Sequence, residues 1–384
     1  MRETDLSDAI TPFTLAIPQA QIDDLHRRLD NTRWPERETV QDWSQGAPLA
    51  KVQPLCEYWR HKYDWRRIEA RLNAFGQFKT AIDGLDIHFL HVRSPHDNAL
   101  PLLLTHGWPG SVIEFVKIIE PLTNPTKFGG KAEDAFHIVV PSLPGYGFSG
   151  KPTETGWGVR HIAQVWGKLM KRLGYQHWVA QGGDWGGAIT SQIGAMKPEG
   201  CAGVHLNMTV IFPDADDLKD TTPQEQASLA SMAFYNEKDS GYAKQQSTRP
   251  QTLGYGLTDS PAGQAAWIYE KLFAWTDNKG APEDVFSMDE MLDNIMLYWL
   301  PATAASSGRL YWESLSGFTS VKIDMPVGVS IFPKEIFRPS RRWADKHLSN
   351  IIHWNELDAG GHFAAWEKPE VFIDEVRTCF RALR

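Results

Sequence analysis

The alternating run Phe13-Thr14-Leu15-Ala16-Ile17 predicts a short strand. Ile22, Leu25 and Leu29 follow at helical spacing until Arg33-Trp34-Pro35 breaks the pattern. A second helix is expected where Val52, Leu55, Trp59 and Tyr63 share one face. Up to about residue 77 the pattern yields helices, no sheet and little core of its own, as in an arm that wraps a larger domain. From about 78 the character changes. Thr80-Ala81-Ile82 and Ile87-His88-Phe89-Leu90-His91-Val92 flank Asp83-Gly84, which predicts a hairpin. Short apolar runs then alternate with helical stretches. Residues 102–104 precede a helix over 112–121, 137–140 precede one over 162–173, 178–180 lead into the segment around Asp184, and 202–206 follow. Such alternation predicts an α/β fold, a mostly parallel sheet with helices on both faces.

Around Pro213 the alternation stops. Residues 213–317 read as helical, with a capping box at Ser287-Met288-Asp289-Glu290 and one apolar face in Met288, Met291, Leu292, Ile295, Met296 and Trp299. Strand patterns resume over 327–332 and 351–354, and a last amphipathic helix is expected over 369–383. No internal repeat interrupts this order. Four regions are therefore expected: an N-terminal extension (1–77), the first part of the sheet domain (78–212), an inserted helical lid (213–317) and the second part of the sheet domain (318–384). A helical block inserted between two halves of a parallel sheet covers its carboxyl edge, where ligands of open α/β folds bind.

Composition narrows the function classes. With 384 residues and 42% hydrophobic content the chain can bury a large core. Lys plus Arg is 39 against 47 for Asp plus Glu, a net charge of −8 with no basic block, which argues against a nucleic-acid surface. Cys56, Cys201 and Cys379 are odd in number and far apart, so neither a disulfide framework nor a zinc site is expected, and a reducing cytoplasm suits them. Met1 to Ile10 carries acidic residues with no apolar stretch behind it, and no run of about 18 apolar residues occurs. No signal peptide, no membrane span and a cytoplasmic location are the expectations.

Three segments carry chemistry. Gly182-Gly183-Asp184-Trp185-Gly186-Gly187 follows a predicted strand and opens a helix. Small residues around one exposed side chain make a nucleophile elbow, a turn sharp enough to present that side chain. Here it is Asp184, and Gly-x-Ser-x-Gly occurs nowhere in the chain. The plainer account is a Gly-rich turn with a helix-capping Asp. His106-Gly107-Trp108-Pro109-Gly110-Ser111 follows an earlier strand, where such enzymes keep an oxyanion donor, so the backbone N–H groups of Trp108 and Trp185 are the candidate pair. His362, in Ala359-Gly360-Gly361-His362-Phe363, follows the last strand and is the candidate base. Glu335, in Phe332-Pro333-Lys334-Glu335, is the candidate acid that orients it, with Asp214 as the fallback.

A carboxylate at an elbow attacks saturated carbon and leaves an alkyl ester, which His362, Glu335 and water can then hydrolyse. The substrate expected is an epoxide or an alkyl halide. An opening epoxide releases an alkoxide that a Tyr phenol of pKa about 10 can protonate, whereas a halide needs only N–H donors. Six of the ten tyrosines fall in the helical block: Tyr235, Tyr242, Tyr255, Tyr269, Tyr298 and Tyr311. Lid packing accounts for most of them, and the Trp185 indole keeps the halide option open.

These motifs carry a resemblance. The chain resembles bacterial members of the microsomal-type epoxide hydrolase family, α/β-hydrolases with an N-terminal extension, along nearly its whole length. Arg33-Trp34-Pro35, Asp42-Trp43 and Tyr58-Trp59 look like that extension. The segment His106 to Ser111, Pro141-Ser142-Leu143-Pro144-Gly145-Tyr146-Gly147-Phe148-Ser149, Gly182 to Gly187, Asn294-Ile295-Met296-Leu297-Tyr298-Trp299, Phe332 to Glu335 and Gly360 to Ala365 match as well. The resemblance implies nucleophile Asp184, acid Glu335 and base His362. It selects Tyr311, in Ser306-Ser307-Gly308-Arg309-Leu310-Tyr311, and Tyr242, in Ser240-Gly241-Tyr242, as the ring-opening acids. It also implies catalysis without cofactor or metal, in detoxification or secondary metabolism. The membrane anchor of some members is not expected here, so a membrane location does not carry over. The expected partners are a small hydrophobic epoxide and water, with no nucleic acid and no membrane, and a homodimer is compatible with the sequence. Sixteen tryptophans point to a hydrophobic, even aromatic, epoxide. A haloalkane or haloacid dehalogenase and a non-catalytic binding protein on the same fold are the competing readings.

Overall fold

A computed structural model of the protein describes residues 9–384. The reading of the chain's start as free of a leader lies, for residues 1–8, outside the described residues. Nine strands form one sheet: β1 (Thr11–Phe13), β2 (Gln77–Ile82), β3 (Leu85–Val92), β4 (Leu100–Thr105), β5 (Phe136–Pro141), β6 (Trp178–Gly182), β7 (Cys201–Leu206), β8 (Val327–Ile331) and β9 (Ile351–Glu356). Their order is β1-β2-β3-β5-β4-β6-β7-β8-β9. The β1–β2, β2–β3 and β3–β5 pairs are antiparallel, and every pair from β5 to β9 is parallel. The parallel strands β4, β6 and β8 are buried at every residue, the continuous apolar signature of strands covered on both faces. Asp83 and Gly84, both at positive φ (51° and 78°), make the tight turn of the expected hairpin.

Three elements differ from the sequence pattern. The N-terminal region does reach the sheet, because β1 pairs with β2 as an edge strand, Phe13 opposite Gln77. The alternating run continues past it, but the N–H groups of Leu15 and Ile17 bond to the Asn73 and Glu69 side chains at 2.9 and 2.7 Å rather than to a strand. Those acceptors stand on or beside a helix, Trp65–Ala74, that was not among the expected elements. The expected helix over 112–121 is instead a single 3-10 turn, Val112–Phe115, capped by Ser111, followed by the short helix Ile119–Thr123.

The N-terminal helices Gln19–Asp30, Leu49–His61 and Trp65–Ala74 bury Leu25, Leu55, Trp59 and Leu72 in the same continuous core as the sheet. Each such large apolar side chain contributes about 1.5–3 kcal/mol. Exposed ion pairs such as Arg60–Asp30 are worth about 0–1 kcal/mol, so packing holds this segment in place.

Between β7 and β8 lie the helices Pro223–Phe234, Gly241–Thr248, Pro250–Asp259, Pro261–Ala274, Met288–Trp299 and Ala304–Ser314, with a π-helical turn at Tyr235–Asp239. Ser287 and Glu290 form the expected capping box on Met288–Trp299. The N-terminal segment grips that helix through Tyr58 Oη to Asp289 (3.1 Å), and through Tyr63 Oη and Arg67 Nη2 to Asp293 (2.7 Å each). Among the described residues no helix is long and apolar enough to cross a membrane.

Candidate active site

Asp184 heads the helix Asp184–Met196 at the end of β6, with its backbone at φ 51°. The cap position belongs to Gly183, and no side chain caps this helix, so the Asp184 carboxylate is not a cap. Glycines are required around it for space. A Cβ on Gly182 would overlap the Gly186 carbonyl, and one on Gly107 would overlap the Asp184 carboxylate itself.

Four strand ends converge on this carboxylate. The loop after β4 supplies the Trp108 N–H, which donates to Asp184 Oδ1 at 2.8 Å. The loop after β9 supplies His362, whose Nε2 lies 3.1 Å from Asp184 Oδ2. The loop after β8 supplies Glu335, whose Oε1 meets His362 Nδ1 at 2.7 Å and also accepts the Ile336 N–H at 2.6 Å. A parallel bridge of Lys334 with Gly361, and the Lys334 N–H to Gly360 carbonyl bond of 3.1 Å, clip the last two loops together. Of the two glycines before His362, Gly360 supplies conformational freedom, with its backbone at φ 108°, and Gly361 supplies closeness. A Cβ on Gly361 would overlap the Trp275 carbonyl, the same carbonyl that accepts the His362 N–H at 2.9 Å.

Asp214 takes no part in this cluster. It ion-pairs with Lys346 at 2.8 Å and accepts the N–H groups of Asp216 and Asp217. The Lys346 hydrogen bond, with those amides, holds its carboxyl at about 2. The Trp185 amide lies in the first turn of its helix, where N–H groups lack an intrahelical acceptor. Its indole packs edge-on to Tyr311 at 4.7 Å.

Burial sets the protonation of the cluster. It pushes the Glu335 carboxyl above its usual range, although His362 and the Ile336 N–H pull it back. For His362 burial favours the neutral ring, yet the charges and hydrogen bonds of Glu335 and Asp184 together outweigh it and hold the imidazole well above its ordinary value. Burial also pushes Glu114, behind the Trp108 loop, up to about 8 and His106 down to about 4.

The six tyrosines of the helical block sort by position. Tyr235, Tyr242 and Tyr311 line a cavity of about 300 Å³ together with Asp184. Tyr242 stacks on Trp108 with ring centroids 4.7 Å apart, and Tyr311 stands edge-on to it at 5.7 Å. Burial raises both phenols well above their ordinary value. Tyr298 is elsewhere, donating to the Gly110 carbonyl at 2.7 Å. Tyr269 donates to Glu283 and Tyr255 faces solvent. The remaining cavity wall is mostly apolar, including Met208, Phe212, Leu315, Phe318 and Phe337.

Asn294 is a site-shaping residue whose role sequence reasoning left unassigned. Its Nδ2 donates to the Pro109 carbonyl at 2.7 Å, and its Oδ1 accepts from Ser111 Oγ at 2.7 Å. With Tyr298 one turn later it fastens the Trp108 loop to the helix Met288–Trp299. The available signal is an Asn with no exposed surface on the buried face of that amphipathic helix. Among the described residues no group of three or more His, Cys, Asp or Glu side chains could hold a metal ion.

Residues 10–115 match the family described as epoxide hydrolase N terminus, and residues 101–252 match the alpha/beta hydrolase fold family. A protein of Stigmatella aurantiaca provisionally named as an epoxide hydrolase is 61% identical over 376 residues, spanning 98% of this chain and 86% of its own length. Epoxide hydrolase 1 of Sus scrofa is 36% identical over 403 residues, spanning 96% and 88%. The solved structure of Aspergillus niger epoxide hydrolase, 32% identical, superposes with a TM-score of 0.88 over 98% of this chain and 97% of that one.

Proposed function

Because this chain belongs to the epoxide hydrolase family, we propose that its cavity admits a hydrophobic epoxide and that Asp184 is the residue that opens it. The Asp184 carboxylate attacks an epoxide carbon, the ring C–O bond breaks, and Tyr242 and Tyr311 protonate the departing oxygen. An ester on Asp184 results. Water then attacks the ester carbonyl, His362 takes its proton, and the Trp108 and Trp185 N–H groups hold the oxyanion. Collapse releases a vicinal diol.

The observation that carries this reading is one carboxylate engaged by both the Trp108 N–H and His362, in a cavity whose wall includes the Tyr242 and Tyr311 phenols. The electrostatics follow the order of steps. With Asp184 ionised, two anions hold the proton on His362. Ester formation neutralises one of them, and the ring releases its proton more readily at the stage that needs a base. Two phenols at the same cavity are superfluous for halide departure, which favours epoxide over halide. Apolar and aromatic walls favour aryl or alkyl epoxides without charge. We read the block 213–317 as the lid that excludes bulk water from the ester. Three free cysteines support a reducing, cytoplasmic location.

A panel of aryl, alkyl and charged epoxides, scored by diol formation, tests the substrate class. The aryl and alkyl members should turn over, and Tyr311→Phe should lower kcat/KM on them by about a hundredfold. Preference for charged epoxides, or chloride release from chloroalkanes that survives Tyr311→Phe, would overturn it.

A further inference from the structure

The ring-opening acid has to leave its own oxygen negatively charged, or nearly so, in surroundings that oppose this. Tyr242 is 6% exposed, and burial first, then Tyr311, Tyr235 and Asp184, raise its phenol; a hydrogen bond in which Tyr242 donates to Tyr235 raises it as well, whereas the reverse donation favours its deprotonation. Something must donate to the Tyr242 oxygen as its proton departs. Tyr311 cannot serve, because the proposed reaction aims its hydroxyl at the epoxide oxygen too. Tyr235 can. Its hydroxyl lies 2.9 Å from the Tyr242 hydroxyl, and either oxygen of that pair can be the donor.

The chain geometry suits this task. Tyr235 opens the π-helical turn Tyr235–Asp239, closed by the Ser240 N–H to Tyr235 carbonyl bond of 2.8 Å. Single π-turns of this kind often re-aim a side chain at a functional site. Tyr235 is half-buried and lines the cavity next to the exposed Asn236 and Lys244, so it bridges Tyr242 and the cavity mouth. The Tyr242 ring itself is held fast. Trp108 stacks on it, and the Lys271 ammonium lies 4.8 Å from its centroid. Lys271 is tied to Asp239 at 2.6 Å and to Glu270 at 2.8 Å, so its charge is largely balanced and adds little to the acidity of Tyr242.

We propose that Tyr235 is a positioning residue for the ring-opening acid, donating its hydroxyl proton to the Tyr242 oxygen as Tyr242 protonates the epoxide. This rests on the reading of Tyr242 as an acid. In balance, the Tyr242 O–H bond breaks as the alkoxide O–H forms, and the Tyr235 proton passes to Tyr242. Water at the cavity mouth restores Tyr235, and ester hydrolysis releases one proton as Asp184 returns to carboxylate.

The test follows ester formation and ester hydrolysis separately in single turnovers, by Trp fluorescence, in wild type, Tyr235→Phe, Tyr242→Phe and the double variant. Each is run on an aryl epoxide and on a trifluoromethyl counterpart whose alkoxide needs less help. Tyr235→Phe should slow ester formation about tenfold or more, the scale of a hydrogen bond to a charged group. Hydrolysis and Tm should be unchanged, the loss should shrink on the fluorinated substrate, and the double variant should be no slower than Tyr242→Phe. Ester formation at the wild-type rate in Tyr235→Phe, or a loss equal on both substrates, overturns the proposal alone when Tyr242→Phe still slows ring opening. Unimpaired ring opening in Tyr242→Phe overturns the reading of Tyr242 and the proposal together.

Discussion

Asp184 is held in a left-handed backbone conformation that costs a non-glycine residue about 1 kcal/mol or more. The return is a carboxylate with one oxygen on the Trp108 N–H and the other facing His362. His362 in turn depends on Glu335 for both orientation and charge. Glu335→Gln keeps an acceptor for Nδ1 and removes one anion that raises the imidazole. The hydrolysis step needs the neutral ring, so its acidic limb lies at the His362 pKa and moves down when that pKa falls. Single-turnover ester hydrolysis followed against pH should show the limb about one unit or more lower in Glu335→Gln, with a plateau reduced about tenfold or more. An unmoved limb would contradict the assignment of Glu335. Asp184, Glu335 and His362 were picked out by their places after predicted strand ends, and those three side chains meet in the structure. The partners that shape them were not picked out in this way. Asn294 bonds to residues 183 and 185 positions away and Tyr235 to one seven positions away, so in their own segments they show only as a polar residue on an apolar helix face and as one of six tyrosines of the helical block.

The helix Met288–Trp299 connects the N-terminal segment to the Trp108 loop. One side receives Tyr58, Tyr63 and Arg67, and the other presents Asn294 and Tyr298 to the Trp108 loop. Burial raises the Asp293 carboxyl to about 6, against the pull of Arg67 and Tyr63. A carboxyl raised in the fold favours the folded state at low pH, and this contribution is lost as pH rises from about 4 through about 6. Above that range the buried anion leans on Arg67. Arg67→Ala should therefore cost little at pH 5 and about 1–3 kcal/mol at pH 8, a range lowered because Arg67 is itself half exposed. Thermal unfolding at the two pH values checks this, and an equal loss at both would contradict it. The capping box and apolar face made this helix plain in the sequence. The alternating run at Phe13 announced a strand but not its place at Thr11–Phe13 or its pairing with the sheet, and the 3-10 turn after Ser111, whose hydroxyl bonds to the distant Asn294, left no periodicity to read.

Across the whole molecule, the parallel register brings Thr105 beside Gly182, Gly182 beside Leu206 and Ile331 beside Glu356. The loops that follow therefore leave from one carboxyl edge, and residues as distant as 108, 184, 335 and 362 meet there. Strand-helix alternation and the interrupting helical block made this architecture legible in outline. The fusion of the N-terminal segment into the common core was not, because which surface an amphipathic helix buries is decided by its partner. The central claim is that Asp184 forms a covalent ester with the opened epoxide. One turnover with enzyme in excess, in ¹⁸O-labelled water, tests it most directly. The diol from that first turnover should carry no solvent label, which should appear instead in the peptide containing Asp184. Solvent label in the first diol, with none in Asp184, would contradict it.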